Sequence, residues 1–283
     1  MELEFHQLDL RYRDLRIVTA SSRRRLMAEL SEAGQQSPVL VTTAGDPARY
    51  VLIDGYLRVS VLKRLGHDTV QAVCLDLSEA DALLWHHQRQ RSHATALEDG
   101  WLLRELRDSH GLGGVALSAR LSRSPSWVSR RIALVESLPL SVQGMIRKGQ
   151  LCPYAASKYL VPLARANAAH AETLAQHIAS QKLSVRQMHT LYVGWRQSDA
   201  EGKERLVQQP MLYLAARAEA KTEARTVHPD ETILSDLHAA ESIMRRLARR
   251  LRERGEVPVG AAMEDAWSAV QQAFDALFTY LKV

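Results

Sequence analysis

Residues 114–132 constrain the fold more tightly than any other stretch of this chain. Ser118 puts a small side chain where one short helix must approach another, Ser122 stands four residues later in a turn, and Val128 is an apolar anchor in the next segment. Ser124 followed by Pro125 is a helix start, because a serine oxygen satisfies an orphan N–H and proline fits the first helical position. The pattern predicts a helix-turn-helix centred on 118–131. In such a unit the N-terminal end of the second helix faces base edges. That end holds Ser124, Ser126, Trp127, Ser129 and Arg130. Arginine bridges guanine and serine hydroxyls donate or accept. Arg120, Arg123 and Arg131 are read as phosphate contacts, which position without specifying.

Bulk charge says less. The 283 residues carry a formal net charge of only +5. Its distribution is more telling, since no acidic residue stands between Asp108 and Glu136, where those four arginines lie. A local cationic face neutralises phosphates even on a mildly basic chain. Cys74 and Cys152 form no Cys-x-x-Cys pair and give no framework of bridges, so a reducing compartment is expected. Residues 1–14 are charged throughout, unlike a signal peptide. No apolar run approaches the roughly 20 residues of a membrane span. The expectation is a cytoplasmic protein, associated with a nucleoid or plasmid and not with a membrane.

The first ninety or so residues mix periods. Residues 23–33 read as helix, 38–43 and 50–53 as short strands around the turn at Gly45, Asp46 and Pro47, 57–65 as helix and 70–77 as strand. Ser78 caps a further helix with Glu79 and Asp81 in its first turn. After His93 only helical periods remain. Residues 198–202 read as a bend, 204–222 as a helix and 225–230 as a linker. Leu237, Ala240, Met244, Leu247 and Leu251, then Met263, Trp267, Val270, Phe274, Leu277 and Leu281, alternate spacings of 3 and 4 on either side of a break at 255–260. Two such stripes predict an antiparallel helical hairpin that pairs with a second copy; the alternative is packing on the rest of the same chain. Beside the first stripe run Arg245, Arg246, Arg249, Arg250, Arg252 and Arg254, either a solvated face or a second, sequence-indifferent DNA contact.

Several segments, in order, resemble the ParB family of partition proteins. Residues 124–139 look like that family's recognition helix and following turn, 146–151 like its entry to the next helical pair, and Lys182-Leu-Ser-Val-Arg-Gln187 like its "L-S-V-R-Q" helix start. Residues 30–41 resemble the first family box, and 53–66 stand where the family carries "G-E-R-R-x-R-A". The resemblance spans roughly residues 5–197. It implies a mainly α protein with an N-terminal α/β ParB/sulfiredoxin-like domain (1–93) and an all-α middle domain containing the helix-turn-helix (94–200); beyond it, the periodicities above predict a helix and linker (201–230) and a C-terminal hairpin that dimerises (231–283). The resemblance, for its part, implies partners. It implies double-stranded DNA as partner, with Ser184 and Arg186 as further DNA contacts, and a ParA-type ATPase as a second partner.

In that family the N-terminal domain binds CTP with magnesium and closes a clamp on DNA. The resemblance places such a nucleotide at Gly34, Asp54, Gly55, Tyr56, Arg58, Gln90 and Arg91, and a glycine before a helix suits a phosphate. The departures are specific. Tyr56 stands for the family's Glu, Leu57 and Ser60 for two arginines, and His87-Gln-Arg-Gln-Arg91 for "E-N-x-Q-R". Both places for a magnesium carboxylate are lost, and magnesium prefers hard oxygen ligands. Hydrolysis is therefore not expected, while binding without turnover and a pocket without nucleotide both stay open. The tyrosine at 56 also rules out the sulfiredoxin cysteine. His86, His87 and His93 read as solvated or DNA-facing rather than as zinc ligands, and Asp76, Glu79, Asp81, Glu98 and Asp99 as helix caps rather than a nuclease centre. No Walker loop, Gly-x-Ser-x-Gly or His-Glu-x-x-His occurs. Three readings follow: a partition-type DNA-binding protein, a transcriptional regulator or mobile-element accessory protein without nucleotide, and a nucleotide-dependent enzyme or nuclease built on the N-terminal domain.

Overall fold

The structure is a computed structural model that describes residues 1–43, 45, 48–89, 94–227, 229–254 and 260–281; for 221, 223–227, 229–232, 254, 278 and 281 it describes the backbone alone. The chain divides into two compact units, Met1–Arg217 and Ala218–Val283.

The first unit begins with a five-stranded sheet. Strands β1 (Glu2–Glu4), β2 (Leu8–Asp9), β3 (Val39–Thr43), β4 (Tyr50–Asp54) and β5 (Thr69–Cys74) lie in the order β1-β5-β3-β4-β2. β1–β5 and β3–β4 are antiparallel, while β3–β5 and β2–β4 are parallel. Strand side chains alternate between faces. Val39, Val41 and Leu52 pack with Leu30 of α1 (Ala20–Ala33) and with Val59, Val61 and Leu62 of α2 (Tyr56–Arg64). Val51 and Ile53 point the other way, onto α3 (Glu79–Arg89) and α4 (Ala96–Asp108). That second face is continuous with the helix-turn-helix. α5 (Gly114–Leu121) and α6 (Pro125–Glu136) add Leu117, Leu121, Val128 and Ile132 to the same core. The sheet and the two helices are thus joined by one apolar cluster with α3 and α4 in its middle layer.

A third cluster supports α4 from below. It is built on α7 (Leu140–Arg147), α8 (Pro153–Ala155), α9 (Val161–Ala166), α10 (Ala168–Ile178), α11 (Val185–Gln197) and α12 (Ala200–Gln208). Between α8 and α9 the chain widens to one π turn, Ala156–Leu160, in which Val161 N–H reaches Ala156 O. Pro162 has no N–H to continue the ordinary ladder, so a local change of register is the expected response.

The expected helices and strands before residue 198 are present with ends shifted by a few residues, and the bend at 198–202 is the junction where Asp199 caps α12. Two expectations fail. The helix read over 204–222 is two helices, because Pro210 opens α13 (Pro210–Val227). Residues 225–230 are largely helical, since α13 reaches Val227 and α14 (Pro229–Arg254) begins at Pro229; residue 228 lies outside the described residues. Helix α15 (Ala261–Leu281) follows the break, of which 255–259 lie outside the described residues, as do Asp46, Pro47 and His93.

Candidate nucleic-acid interface

The turn between α5 and α6 works as the sequence predicts. Ser122 adopts the left-handed conformation, with φ at +52°. Ser118 is buried and its hydroxyl donates to the carbonyl of Arg123, closing the turn from inside. Ser124 Oγ accepts from the N–H of Trp127 at 3.2 Å, and Pro125 takes the first helical position. Val128, Ile132 and Val135 fix the inner face of α6.

What α6 leaves outside is its N-terminal face. Ser124, Ser126, Ser129 and Arg130 are exposed, together with Arg123 in the turn. Trp127 is half-buried against the core and takes two guanidinium groups over its ring, Arg123 at 5.2 Å and Arg131 at 5.3 Å from the centroid. It therefore serves as a platform that holds two arginines. Ser184 and Arg186, at the start of α11, are also exposed; there Ser184 and Gln187 form a reciprocal cap.

The acid-free stretch of sequence is not acid-free in space. Arg120 Nη1 lies 2.6 Å from Asp81 Oδ1 on α3. Arg131 Nε lies 3.2 Å from Asp99 Oδ2 on α4, and His87 Nε2 lies 3.5 Å from the other oxygen. Asp99 is buried; burial pushes its carboxyl above the ordinary carboxylate value, and Arg131 beside it pulls the other way. Arg120 and Arg131, read from the sequence as phosphate contacts, each have an intramolecular carboxylate as well. Linear sequence hides this, because helices packed on one another bring distant charges together.

α4 is decisive for a second reason. A Cβ built on Gly100 would stand 2.5 Å from the carbonyl oxygen of Arg131 and 2.9 Å from Val135 Cγ1. Only glycine lets α4 lie this close to the backbone of α6. Neither Gly100 nor Asp99 was singled out as part of an interface by sequence; a glycine in the middle of an otherwise strong helix was the available signal.

The nucleotide positions are placed as follows. Gly34 ends α1 with φ at +67°. Gly55 precedes α2 with φ at +102°, and a Cβ there would overlap Val39. Arg58 Nη1 donates to the carbonyls of Ser37 at 3.1 Å and Pro38 at 2.8 Å, and Nη2 lies 3.8 Å from Asp54. Tyr56 turns its hydroxyl back onto the carbonyl of Leu52, and burial raises its pKa. Gln90 and Arg91 lie outside the described residues. Among the described residues no three-membered His, Cys, Asp or Glu group suited to a metal occurs. The described part of this set does not fit a magnesium-bound triphosphate: Arg58 is committed to protein carbonyls, and among the described residues no carboxylate cluster stands beside it.

His86 and His87 correct another expectation. Both are buried, so they are neither solvated nor facing DNA. His86 Nε2 approaches Asp54 Oδ1 at 3.4 Å without a hydrogen bond. Burial, with help from Arg16, lowers its pKa against the pull of Asp54, so the ring is neutral and the contact is not an ion pair. Asp81, Glu98 and Glu79, considered for catalysis, cap or tie helices. Asp81 pairs with Ser78, Glu98 closes the cap at Thr95 and accepts from Ile17 N–H, and Glu79 accepts from Tyr12 and Arg11.

A matching family model covers residues 92–196, and its description is the ParB HTH domain. Over those residues the chain is similar to ParB helix-turn-helix domains. The ParB-type resemblance read from the sequence is thereby borne out, and the α5–α6 pair lies within the matched residues. A relative is the nucleoid occlusion protein of Oceanobacillus iheyensis, 27% identical over 135 residues, which are 47% of this chain and 47% of that protein. The chain thus spans about half the length of the curated relative it matches. Two solved structures are similar over longer stretches. The Caulobacter crescentus chromosome-partitioning protein ParB with CTP-γ-S is 20% identical, with 63% of this chain and 97% of that chain covered and a TM-score of 0.30. The same protein bound to its centromeric parS site is 22% identical, with 70% and 99% covered and a TM-score of 0.28. Among the described residues no helix is long and apolar enough to cross a membrane.

Proposed function

We propose that this protein binds double-stranded DNA in a sequence-specific way through α6, as a ParB-type DNA-binding protein. The observation that carries this is the split of α6 into two faces. Val128, Ile132 and Val135 lock it onto the core, while Ser126, Ser129 and Arg130 stand exposed at the end that enters a major groove. Arg123 and Arg130 supply exposed positive charge, and Ser184 with Arg186 extend the surface from α11. Arg130 is the base reader, because its side chain lies on the exposed face of the helix without a carboxylate from α3 or α4.

The second unit supplies the dimer. Its apolar stripes are open to solvent, with Leu247 38%, Trp267 50% and Phe274 53% exposed. The arginine-rich end of α14 is basic, whereas α15 carries Glu264, Asp265 and Asp275 and no lysine or arginine. Apolar seams flanked by opposite charge suit pairing with a second copy of the chain. A two-fold dimer then meets a palindromic site. On this reading 1–93 is the partner-binding or regulatory part, 94–200 the reader, 201–230 a connection and 231–283 the dimerisation hairpin. CTP and magnesium play no part in the reading, because the described box does not fit them.

Genome-wide recovery of bound DNA from cells tests it. The expected result is a sharp motif, with Arg130→Ala costing about 1–3 kcal/mol on that motif and relaxing specificity at one base position. Recovery of DNA without a motif, unchanged by Arg130→Ala, refutes it. Signal spreading beyond the motif marks a sliding clamp; a sharp peak without spreading marks a local regulator.

A further inference from the structure

Two of the four helix-turn-helix arginines are held by carboxylates that lie outside the helix-turn-helix. Arg120 is gripped twice by α3. Its guanidinium meets Asp81 at 2.6 Å, and its backbone carbonyl accepts from Gln88 Nε2, also at 2.6 Å. Asp81 and Gln88 are two turns apart on one helix, so α3 lies along the end of α5 like a clasp. Asp81 is itself fixed, since Ser78 Oγ donates to its other oxygen at 2.6 Å. Arg131 is held from α4 by Asp99, which is oriented by His87 of α3. The two pairs differ in depth. Arg120 and Asp81 have side chains 44% and 49% exposed, whereas Asp99 has only 11% exposed.

A carboxylate and a phosphate oxygen present the same chemistry to a guanidinium: anionic acceptors for a planar donor. We propose that Asp81 and Asp99 act as built-in phosphate mimics that hold Arg120 and Arg131 off the DNA backbone, so that α3 and α4 set the grip on a duplex without touching it. This rests on the DNA-binding reading above. An arginine that must leave a carboxylate to reach a phosphate exchanges one anion for another, so it contributes less than a free one. Sequence-independent affinity comes from such phosphate contacts, at about 0.9 units of salt slope each. The grip is therefore metered by how firmly α3 lies against α5, and loosening α3 from the sheet side strengthens it.

The test is a double-mutant cycle on the full chain with Asp81→Asn and Arg120→Ala. Binding to a random-sequence duplex is read by fluorescence anisotropy between 50 and 200 mM KCl. Asp81→Asn keeps an acceptor for Ser78, and Asp81→Ser repeats the measurement with different cap chemistry. The expected result is several-fold tighter binding and a salt slope steeper by about 0.9, the worth of one added phosphate contact. In the Arg120→Ala background the same change has no effect on either quantity. An equal gain with and without Arg120 shows only the loss of a repelling charge and overturns the proposal, as does an unchanged affinity and slope. If the wild type binds no duplex at all, the DNA reading fails and takes this proposal with it; binding that Arg130→Ala weakens, with an additive cycle, sinks the mimic alone.

Discussion

Replacing Gly100 by alanine probes the contact on which the recognition helix depends. At an open helical position this change stabilises by about 0.5–1 kcal/mol, because glycine loses more backbone freedom on folding. At Gly100 the added methyl meets the Arg131 carbonyl oxygen at 2.5 Å and Val135 Cγ1 at 2.9 Å. Ordinary contact requires the helices to separate by roughly 1 Å, and overpacking of this kind costs about 1–3 kcal/mol. The net expectation is destabilisation by about 1–2 kcal/mol, or roughly 2–8 °C in Tm for a unit of this size. Gly144 on α7 is the internal control, since a Cβ there meets nothing within 4 Å. Gly144→Ala is expected to raise stability by about 0.5–1 kcal/mol. Urea and thermal unfolding of both variants measure the difference. DNA affinity of Gly100→Ala is expected to fall as well, because the displaced carbonyl belongs to Arg131. Should Gly100→Ala stabilise the protein as much as Gly144→Ala does, α4 and α6 do not lie as close as the structure shows and the reasoning fails.

Three further outcomes are expected. His86 has a folded-state pKa below the ordinary histidine value of 6.5, so its contribution is present above pH 6.5 and is lost as pH falls through that value; urea melts at pH 7.5 and 5.5 should differ less for His86→Leu than for wild type, and an equal difference removes His86 as the cause. Leu247→Glu or Phe274→Glu should convert a dimer to a monomer in sedimentation equilibrium, with unit Met1–Arg217 still folded by circular dichroism; a wild-type monomer refutes the hairpin pairing. Calorimetric titration with CTP, ATP or GTP and magnesium should give no binding heat, and micromolar CTP affinity refutes the argument that Arg58 is committed.

The helix-turn-helix was legible because its requirements are local. A small residue at 118, a turn at 122, a cap at 124 and a proline at 125 are each dictated by neighbours within a few residues, and every one is seen in the structure. The strands around 38–54 were legible for the same reason, as short β-rich runs on either side of turn residues. The failures have two causes. The helix read over 204–222 ignored Pro210, a local breaker inside an otherwise helical run. The histidines at 86 and 87 read as exposed because polarity is a poor guide to burial when a helix is covered on several sides, as α3 is by the sheet and by α5.

The amino-acid order by itself determined where the chain turns, which helix begins with serine and proline, and which of its residues face outward. Only the tertiary structure decided which arginines are free. Coulombic partners are chosen by distance in space, and the packing of α3 and α4 against α5 and α6 brings Asp81 and Asp99, distant in sequence, within reach of Arg120 and Arg131.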